Sequence, residues 1–341
     1  MKKKLITILC MTSIFAMVVT GCAKATETSA EGNSEYKKME LAMTVNGTDI
    51  QIDTKVANKF AELVSEASDG NITISVFPND QLAGGNATKG IEMISEGSVD
   101  LAAYASSVTS VLDENLLVGT IPWTFTSYEE ARKVIDETGG NYYEKLLKPH
   151  DVTYLGSFHN GFRQISNSKH PVKTPADLKG LKIRVPGGEV YLKFFKAFGA
   201  DPVAMSWSEV FTAIQQGTID GQENGVSITD TAKMYEVQKY MTLWNYTYEN
   251  DLFMANTRIW EALPENTQQL LKEKALEACE WGRDQIEKEQ DELVAKFKEK
   301  GVEVIELTPE ELEPFKSVVK DLRQEFINKY GKEACKAFQI Q

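Results

Sequence analysis

Apolar side chains follow two alternating periods along the first third of the chain, which predicts strands and helices in turn. Residues 39–46 and 72–77 alternate apolar and polar side chains, the period of a strand. Residues 52–67 carry apolar side chains three and four positions apart, the spacing of one helix face. A helix over about 88–96 and a strand over 99–104 continue the series. This β-α-β-α-β order predicts an α/β fold with a parallel sheet flanked by helices.

A second β/α series follows the first. Its predicted strands and helices are 152–158, 163–166, 181–185, 189–198, 202–204, 209–216 and 219–223. Two junctions share a pattern, ISEGSVD at 94–100 and IQQGTID at 214–220, in which a glycine can supply the left-handed end of a helix. A chance helix-to-strand junction has the same form, but the repetition favours two similar lobes.

Long elements after residue 238 are predicted to connect the lobes. The segments 239–246 and 252–256 have the pattern of strands long enough to cross between them. Residues 264–300 form one helical pattern without an internal proline, about 55 Å long at about 1.5 Å per residue. Such a helix is longer than one lobe and is expected to brace both. A last helix is predicted over 309–330, capped by Thr308.

The N-terminal residues predict export and attachment to a membrane. Lys2, Lys3 and Lys4 precede an apolar stretch over 5–19 that is too short for a confident membrane span. The following Val-Thr-Gly-Cys ends at Cys22 and resembles a bacterial lipobox, in which the signal is cleaved before a lipid-bearing cysteine. Residues 1–21 are therefore predicted as a lipoprotein signal peptide and 22–35 as a flexible tether. An ordinary secretory signal followed by a chance cysteine is the alternative.

Charge limits the classes of partner. The chain has a net charge of −13, and removal of residues 1–21, which carry three lysines and no acid, makes it −16. A surface of this sign repels nucleic acid and anionic lipid headgroups, so no nucleic-acid partner is expected. An anionic ligand would have to be attracted by local cations instead.

Residues typical of catalysis are sparse. His150, His159 and His170 do not have metal-ligand spacing, and the sequence lacks a nucleophile elbow, a Walker motif and a dinucleotide fingerprint after a strand. These observations lower the expectation of an enzyme. A secreted enzyme that uses Glu209 or Glu223 as a base remains a competing hypothesis.

Two cysteines lie within helical patterns of the predicted mature domain. An extracytoplasmic setting would permit a disulfide between Cys279 and Cys335. The sequence does not show that they meet, and two separate packed thiols fit it at least as well.

Two arginines lie 21 positions apart in otherwise apolar predicted strands. Arg184 is close to the carboxyl end of its strand, where ligands bind in open α/β sheets, and a guanidinium can pair with a carboxylate through two hydrogen bonds. Arg163 follows Gly161-Phe162 in a similar setting. A structural salt bridge is the alternative for both. Trp207 could stack on a ligand or belong to the core, and Asn224 could bind a ligand or cap a turn.

The order of the motifs around these residues is more specific than any single residue. The motifs are FPNDQL (77–82), NGFRQISN (160–167), PADLKGLKIRVP (175–186), FGADPVAMSWSEVF (198–211), AIQQGTIDGQEN (213–224) and YEVQKY (235–240). Together they resemble the DctP-type solute-binding proteins of TRAP (tripartite ATP-independent periplasmic) transporters. The resemblance covers nearly all of the predicted mature chain.

This resemblance implies a two-lobe fold of the periplasmic-binding-protein type, with a hinge and a long C-terminal helix that spans both lobes. The expected lobes are 36–160 with about 250–288, and 161–249 with about 289–341. Such a protein closes on a small organic acid and delivers it to membrane permease subunits. It implies an extracytoplasmic receptor without a cofactor, metal or catalytic residue, which the lipobox-like motif would anchor to the membrane through a lipid on Cys22. We expect the receptor to be a monomer.

The resemblance also implies roles for particular residues. Arg184 matches the arginine that pairs with the ligand carboxylate, and Arg163 a second polar or cationic contact. Asn224 matches the residue that binds the carboxylate from the other side, and Trp207 an aromatic wall. The first-lobe sequence departs from relatives at 83–86. Candidate ligand contacts from the first lobe are Asn86, Tyr104, Ser106 and Trp123.

These neutral first-lobe candidates favour a sugar acid, such as a uronate or an aldonate, as the ligand. A C4-dicarboxylate, or a hydroxy or keto acid, stays open because Arg163 could bind a second carboxylate. A ligand-sensing lipoprotein is a further alternative.

Overall fold

The computed structural model describes residues 35–340. The predicted signal peptide, Cys22 and most of the predicted tether lie outside the described residues. The strands are β1 (Met39–Val45), β2 (Ile72–Phe77), β3 (Leu101–Ala105), β4 (Val152–Asn167), β5 (Lys182–Val185), β6 (Asp201–Ala204), β7 (Gly221–Gly225), β8 (Tyr240–Asn256) and β9 (Glu303–Glu306).

Helices surround these strands. They are α1 (Ile52–Ala67), α2 (Ala87–Glu96), α3 (Ser106–Thr109), α4 (Tyr128–Val134), α5 (Gly140–Leu147), α6 (Glu189–Ala197), α7 (Trp207–Gln215), α8 (Val226–Thr231), α9 (Thr257–Ala262), α10 (Glu265–Glu299), α11 (Pro309–Val318) and α12 (Lys320–Ala337). A π-helical turn, Ile135–Gly139, joins α4 to α5. None of the helices in the described part of the chain is long and apolar enough to cross a membrane.

All strands belong to one sheet, in the order β2-β1-β3-β8-β4-β7-β5-β6, with β9 beside β8. β1 pairs in parallel with β2 and β3, and β5 pairs in parallel with β6 and β7. We call the β1–β3 side, with α1 and α2, the first lobe, and the β5–β7 side, with α6 and α7, the second lobe. The predicted α/β sheet is thus present on both sides.

β4 and β8 run antiparallel through both lobes. The sequence predicts two separate strands in each of these places, whereas the structure has single strands of 16 and 17 residues. Their pairing shifts register between His159 and Gly161 and between Arg163 and Ile165. Gly161 has φ 124°, a backbone conformation that favours glycine. The predicted lobe boundaries, 160/161 and 249/250, lie in this irregular stretch and stay a prediction.

α10 confirms the predicted long helix almost to the residue. It packs on α1 in the first lobe and on α8 and β9 beside the second. The close approach of α1 depends on Gly282, because a Cβ there would come within 2.4 Å of Val56 Cγ2. Aromatic side chains pack in both lobes. The ring centroids of Phe60 and Phe253 lie 4.9 Å apart in the first lobe, and those of the stacked Phe194 and Tyr246 lie 4.4 Å apart in the second.

The C-terminal region differs from the single helix that the sequence predicts. Thr308 caps α11 through Glu311, and Gly331, which was predicted to end the helix, is non-helical with φ 80°. The helix is nevertheless interrupted between α11 and α12. Phe338 then packs its ring against Tyr142 and Tyr143, which belong to the predicted first lobe. The end of the chain, which the prediction assigns to the second lobe, therefore contacts residues assigned to the first.

The two predicted helical cysteines are separate buried thiols. Neither Cys279 nor Cys335 forms a disulfide in the structure. Burial raises the pKa of the Cys279 thiol to about 12, so this sulfur stays protonated and unreactive at neutral pH. Of the two alternatives that the sequence leaves open, the structure has packed thiols.

Candidate functional site

A cleft lies where parallel strands of both lobes end. Asn46 follows β1, Ala105 ends β3, Pro186 follows β5, and Asn224 is next to last in β7. All four residues line the cleft. Because the carboxyl ends of parallel strands form ligand sites in open α/β sheets, this position is the expected one.

The cleft has two connected parts. An outer chamber of about 390 Å³ has the size of many small-molecule sites. An inner recess beyond it has about 30 Å³, roughly the space of one water molecule. The residues that line both parts are Asn46, Ser107, Val108, Arg184, Pro186 and Trp207.

Arg184 is a buried cation without an acidic partner. Its side chain is 3 % exposed, and no carboxylate among residues 35–340 lies within ion-pair distance. Its Nε and Nη2 groups donate to the backbone oxygen of Met205 at 3.0 and 2.8 Å, which leaves Nη1 without a partner in the described residues. Burial, with the charge of Arg163, lowers the pKa of Arg184 to about 10, so the guanidinium is charged at neutral pH. A buried, uncompensated cation at a cleft wall is suited to bind an anion.

Arg163 lies in the same recess but is fully engaged by protein groups. Its Nε donates to Glu223 Oε2 at 2.5 Å, and its Nη2 donates to the Oε1 and backbone oxygen of Glu223 at 2.9 and 2.8 Å. Its Nη1 donates to Glu249 and to Asn160 Oδ1. All five N–H groups of the guanidinium are thereby used. Of the two alternatives for Arg163, ligand contact or structural salt bridge, the structure has the salt bridge. No N–H group of Arg163 is left to donate to a ligand.

The acids around Arg163 are tied into the same buried network. Burial raises the pKa of Glu223, while the charge and hydrogen bonds of Arg163 oppose that effect. Tyr246 donates to Glu223 Oε2 at 2.6 Å, and the backbone N–H of Ser107 donates to Glu249 Oε1 at 2.9 Å. Buried charges of this kind are stable only when paired, so the network fixes the shape of the recess.

Trp207 and Asn224 complete the second-lobe side. Trp207 is the first residue of α7, and its ring centroid lies 5.3 Å from the guanidinium carbon of Arg184. Asn224 lines the inner recess, and its Oδ1 accepts a hydrogen bond from the backbone of Gly225 at 3.0 Å. The structure therefore brings together all four predicted second-lobe residues, Arg163, Arg184, Trp207 and Asn224.

The predicted first-lobe contacts do not line the cleft. Asn86 is exposed and caps α2 by accepting a hydrogen bond from Lys89 at 3.0 Å. Tyr104 is buried, and its hydroxyl donates to Asp80 at 2.6 Å and lies 3.1 Å from Thr44 Oγ1. Both side chains have structural partners that account for them.

Ser106 and Trp123 are also outside the cleft lining. Ser106 is the first residue of α3 and is fully buried, while the next residue, Ser107, lines the cleft. Trp123 packs edge-on against Phe194 and lies in left-handed backbone, with φ 52°. Choosing between neighbouring serines requires the direction of a helix start, which the sequence pattern does not fix.

Sequence reasoning missed the first-lobe residues that do line the recess, among them Asn46, Gln51, Asp53 and Asp251. Gln51 Nε2 is buried and has no hydrogen-bond partner within residues 35–340. Asp53 accepts hydrogen bonds from the backbone of Gly47 at 2.5 Å and of Thr54, and burial raises its pKa to about 7. A signal was present for Asn46, which is the first polar residue after an alternating strand.

Sequences of known proteins match this chain over most of its length. Residues 42–329 match the bacterial extracellular solute-binding protein family 7, DctP. A 2,3-diketo-L-gulonate-binding periplasmic protein of Escherichia coli is 32% identical over 291 residues, which cover 85% of this chain and 86% of the relative. A C4-dicarboxylate-binding protein of Bacillus subtilis is 32% identical over 280 residues, 81% of this chain and 79% of the relative.

Solved structures have the same architecture. The sugar acid binding protein of Advenella mimigardefordensis in complex with galactonate aligns with a TM-score of 0.85 and 29% identity, covering 89% of this chain and 98% of that one. A TRAP periplasmic solute-binding protein of Ralstonia eutropha with bound (S)-2-acetolactate also aligns with a TM-score of 0.85 and 29% identity. The alignment covers 88% of this chain and 98% of that one. These matches confirm the predicted two-lobe fold. The chain belongs to the DctP family of bacterial extracellular solute-binding proteins, the solute receptors of TRAP transporters.

Proposed function

We propose that this receptor binds a hydroxylated organic acid, with a sugar acid such as an aldonate or a uronate favoured, and delivers it to TRAP permease subunits. The observation that carries the proposal is the buried Arg184 guanidinium, which lines the cleft and forms no ion pair with a carboxylate of residues 35–340. A ligand carboxylate would supply the missing charge. Trp207 beside it offers an aromatic face for the carbon skeleton, and Asn224 an amide for the carboxylate.

The rest of the recess supports a hydroxylated ligand over a dicarboxylate. Among the described residues that line the cleft, the cations are Arg163 and Arg184, and the five donors of Arg163 are occupied. The opposite side presents amides, hydroxyls and the acids Asp53 and Asp251. A second ligand carboxylate would find no unoccupied cation among these described residues, whereas hydroxyl groups would find acceptors and donors.

Relatives with known ligands are compatible with this choice and with its alternative. The Escherichia coli relative is named for 2,3-diketo-L-gulonate, and the Advenella structure holds galactonate. The Bacillus subtilis relative is named for C4-dicarboxylates, and the Ralstonia structure holds a hydroxy keto acid. C4-dicarboxylates and hydroxy or keto acids are therefore included in the test below.

The decisive experiment is a thermal-shift screen of the purified receptor against aldonates, uronates, C4-dicarboxylates and small hydroxy and keto acids. A ligand that binds only the folded state raises the melting temperature by mass action. Arg184→Ala should lose the shift for every acid. Arg258→Ala is the matched control, because Arg258 is an exposed arginine that does not line the cleft. Full binding by Arg184→Ala would overturn the carboxylate assignment.

We further propose that the receptor reaches the cell surface through cleavage of residues 1–21 and a lipid on Cys22, and acts as a monomer. A lipobox-like Val-Thr-Gly-Cys and a polar stretch after it support this anchoring. Cys22→Ser should release the protein from membranes into the extracytoplasmic fluid. Retention of the variant in the membrane fraction would contradict the lipid anchor. Light scattering of a form that starts at residue 35 tests the oligomeric state and should give the mass of a monomer.

The proposal treats the chain as a receptor and not as an enzyme, in line with its family. Of the two acids considered as bases, Glu223 is poorly placed for that role, because it accepts hydrogen bonds from Arg163 and Tyr246. A receptor binds stoichiometrically and leaves its ligand unchanged. Chemical conversion of a bound acid during prolonged incubation would favour the enzyme hypothesis. A neighbouring sensor-kinase gene without permease genes would favour a ligand-sensing role instead.

A further inference from the structure

Asp251 is an acid in the ligand recess with one carboxyl oxygen unused. It lies on β8, opposite Ala105 of β3 and Phe158 of β4, and is 1 % exposed. Its Oδ1 accepts a hydrogen bond from Asn160 Nδ2 at 3.1 Å. Its Oδ2 is buried and has no hydrogen-bond partner among the described residues. Because buried polar atoms in folded proteins are nearly always satisfied, an unpartnered oxygen in a ligand recess points to a ligand contact.

The charges around Asp251 disfavour its ionised form. Asp53 of α1 and Glu249 of β8 face it with negative charge, while Asn160 and Arg163 of β4 act in the opposite direction. Arg163 is already engaged by its two glutamates. Burial is the largest effect and, with these acids, raises the pKa of Asp251 well above its usual value.

A bound organic acid would strengthen this preference. The proposed ligand carboxylate brings one more negative charge into a recess that already holds Glu223 and Glu249. Arg184, which shares the recess, would be paired with that carboxylate. Under these conditions an ionised Asp251 would add an unpaired buried charge, whereas the neutral acid adds a hydrogen-bond donor.

We propose that Asp251 contacts the ligand as a neutral carboxylic acid, its Oδ2 hydroxyl donating a hydrogen bond to a ligand oxygen, so that ligand and proton binding strengthen each other. The inference rests on the proposed function, because it requires an anion at Arg184. The proton comes from solvent and stays on Asp251, and no covalent bond to the ligand changes. The partner atom is a hydroxyl, carbonyl or ring oxygen away from the ligand carboxylate. An ammonium group at that position cannot accept the hydrogen bond and is excluded.

The first test needs no ligand. The unfolding free energies of the wild-type receptor and of Asp251→Asn are measured by chemical denaturation between pH 4 and pH 9. An acid whose folded pKa is raised destabilises the folded state progressively as pH rises from its unfolded pKa, near 3.9, to its folded pKa. The stability of Asp251→Asn relative to wild type should therefore increase with pH. A difference that stays constant over this range would show that Asp251 is ionised throughout, and would overturn the proposal.

The second test measures the coupling itself. D-galactonate, succinate and (S)-2-acetolactate are titrated calorimetrically at several pH values in buffers with different ionisation enthalpies. For whichever acid binds, wild-type affinity should fall as pH rises, by at most about tenfold per unit, with net proton uptake above the folded pKa of free Asp251. Asp251→Asn keeps a donor at the same position and should lose the part of the pH dependence that Asp251 contributes. Asp251→Leu cannot donate and should lose at least about fivefold in affinity.

The outcomes separate the two proposals. Binding of succinate or acetolactate without D-galactonate would overturn an aldonate of this kind as the ligand and leave the Asp251 test intact. Binding with an equal pH profile for wild type and Asp251→Asn would overturn the proton coupling while the receptor assignment stands. Equal binding by Asp251→Leu and Asp251→Asn would show that Asp251 makes no donor contact. Failure of all acids to bind would remove both.

Discussion

The surroundings of Arg163 and Arg184 differ although the two residues share a recess. Arg163 on β4 lies next to β7 and β8, which each contribute a buried glutamate. Arg184 on β5 lies between β6 and β7 and meets a single backbone oxygen, that of Met205. The first arginine is part of the scaffold, and the second is left uncompensated. The difference teaches that the partners on neighbouring strands, rather than residue type or burial, separate a structural cation from a binding cation.

The largest effect should follow removal of the scaffold cation. Arg163→Met leaves Glu223 and Glu249 buried without their counter-ion, which in other buried ion pairs costs about 3–5 kcal/mol. We expect a loss of this size in the unfolding free energy, measured by urea denaturation without ligand. Adding Glu223→Gln and Glu249→Gln should restore much of it. If Arg163→Met is as stable as wild type, Arg163 is not a structural cation, and the proposed difference between it and Arg184 is wrong.

Arg184→Met should give the opposite result, because no acid loses a partner. The unfolding free energy without ligand should stay within about 1 kcal/mol of wild type, since the lost hydrogen bonds to Met205 are offset by removal of a buried charge. The stabilisation by ligand, about 2.7 kcal/mol at a hundredfold excess over Kd, should disappear. Denaturation with and without the best-binding acid measures both. A large loss without ligand would make Arg184 a scaffold residue as well.

Trp207 sharpens the comparison by testing what holds Arg184 in place. Trp207→Leu removes the ring that lies over the guanidinium, and a cation–π contact of this kind contributes about 0.5–2 kcal/mol. Affinity should fall by about 2- to 30-fold in a fluorescence-independent assay such as calorimetry. Trp207→Phe, which keeps a ring, should recover part of it. Equal affinities of the leucine and phenylalanine variants would exclude an aromatic contribution.

The smallest effect concerns the rim of the cleft. Ser208 Oγ donates across it to the backbone oxygen of Gly85 at 3.0 Å, joining the second lobe to the first. Ser208→Ala should weaken binding by only about 0.5 kcal/mol, or about twofold, because the contact is exposed to water. Thr212→Ala, at an exposed position of the same helix outside the cleft lining, serves as the control. A loss of affinity as large as that of Trp207→Leu would show that the Ser208–Gly85 hydrogen bond contributes strongly to holding the two lobes together.

Much of the fold could be predicted because its signals are local. The strand and helix periods placed β1, β2, α1 and α10 within a residue or two, and glycine at the helix ends gave Gly97 and Gly217 the positive φ that was expected. The continuity of β4 through Gly161 and the interruption between α11 and α12 were not predicted. Both depend on pairing and packing with segments distant in sequence, which a local pattern does not contain.

The candidate site was predicted unevenly for a related reason. Motif order identified Arg184, Trp207 and Asn224, which the structure brings into one cleft. It could not show that Glu223 and Glu249 would surround Arg163, because Glu249 is 86 positions away in sequence. Asp251, in the polar run Glu249-Asn250-Asp251 within an apolar strand, carried a signal that went unused.

The two long strands, β4 and β8, have a mechanical consequence. Because each is shared by both lobes, the halves cannot be separated by cutting a linker, and severing either strand would leave unpaired backbone in the middle of the sheet. Opening of the cleft must then be absorbed as twist in a two-stranded ribbon, not as free rotation about a flexible tether. Heat should accordingly unfold the receptor in one calorimetric transition, and a fragment that contains only one lobe should not fold.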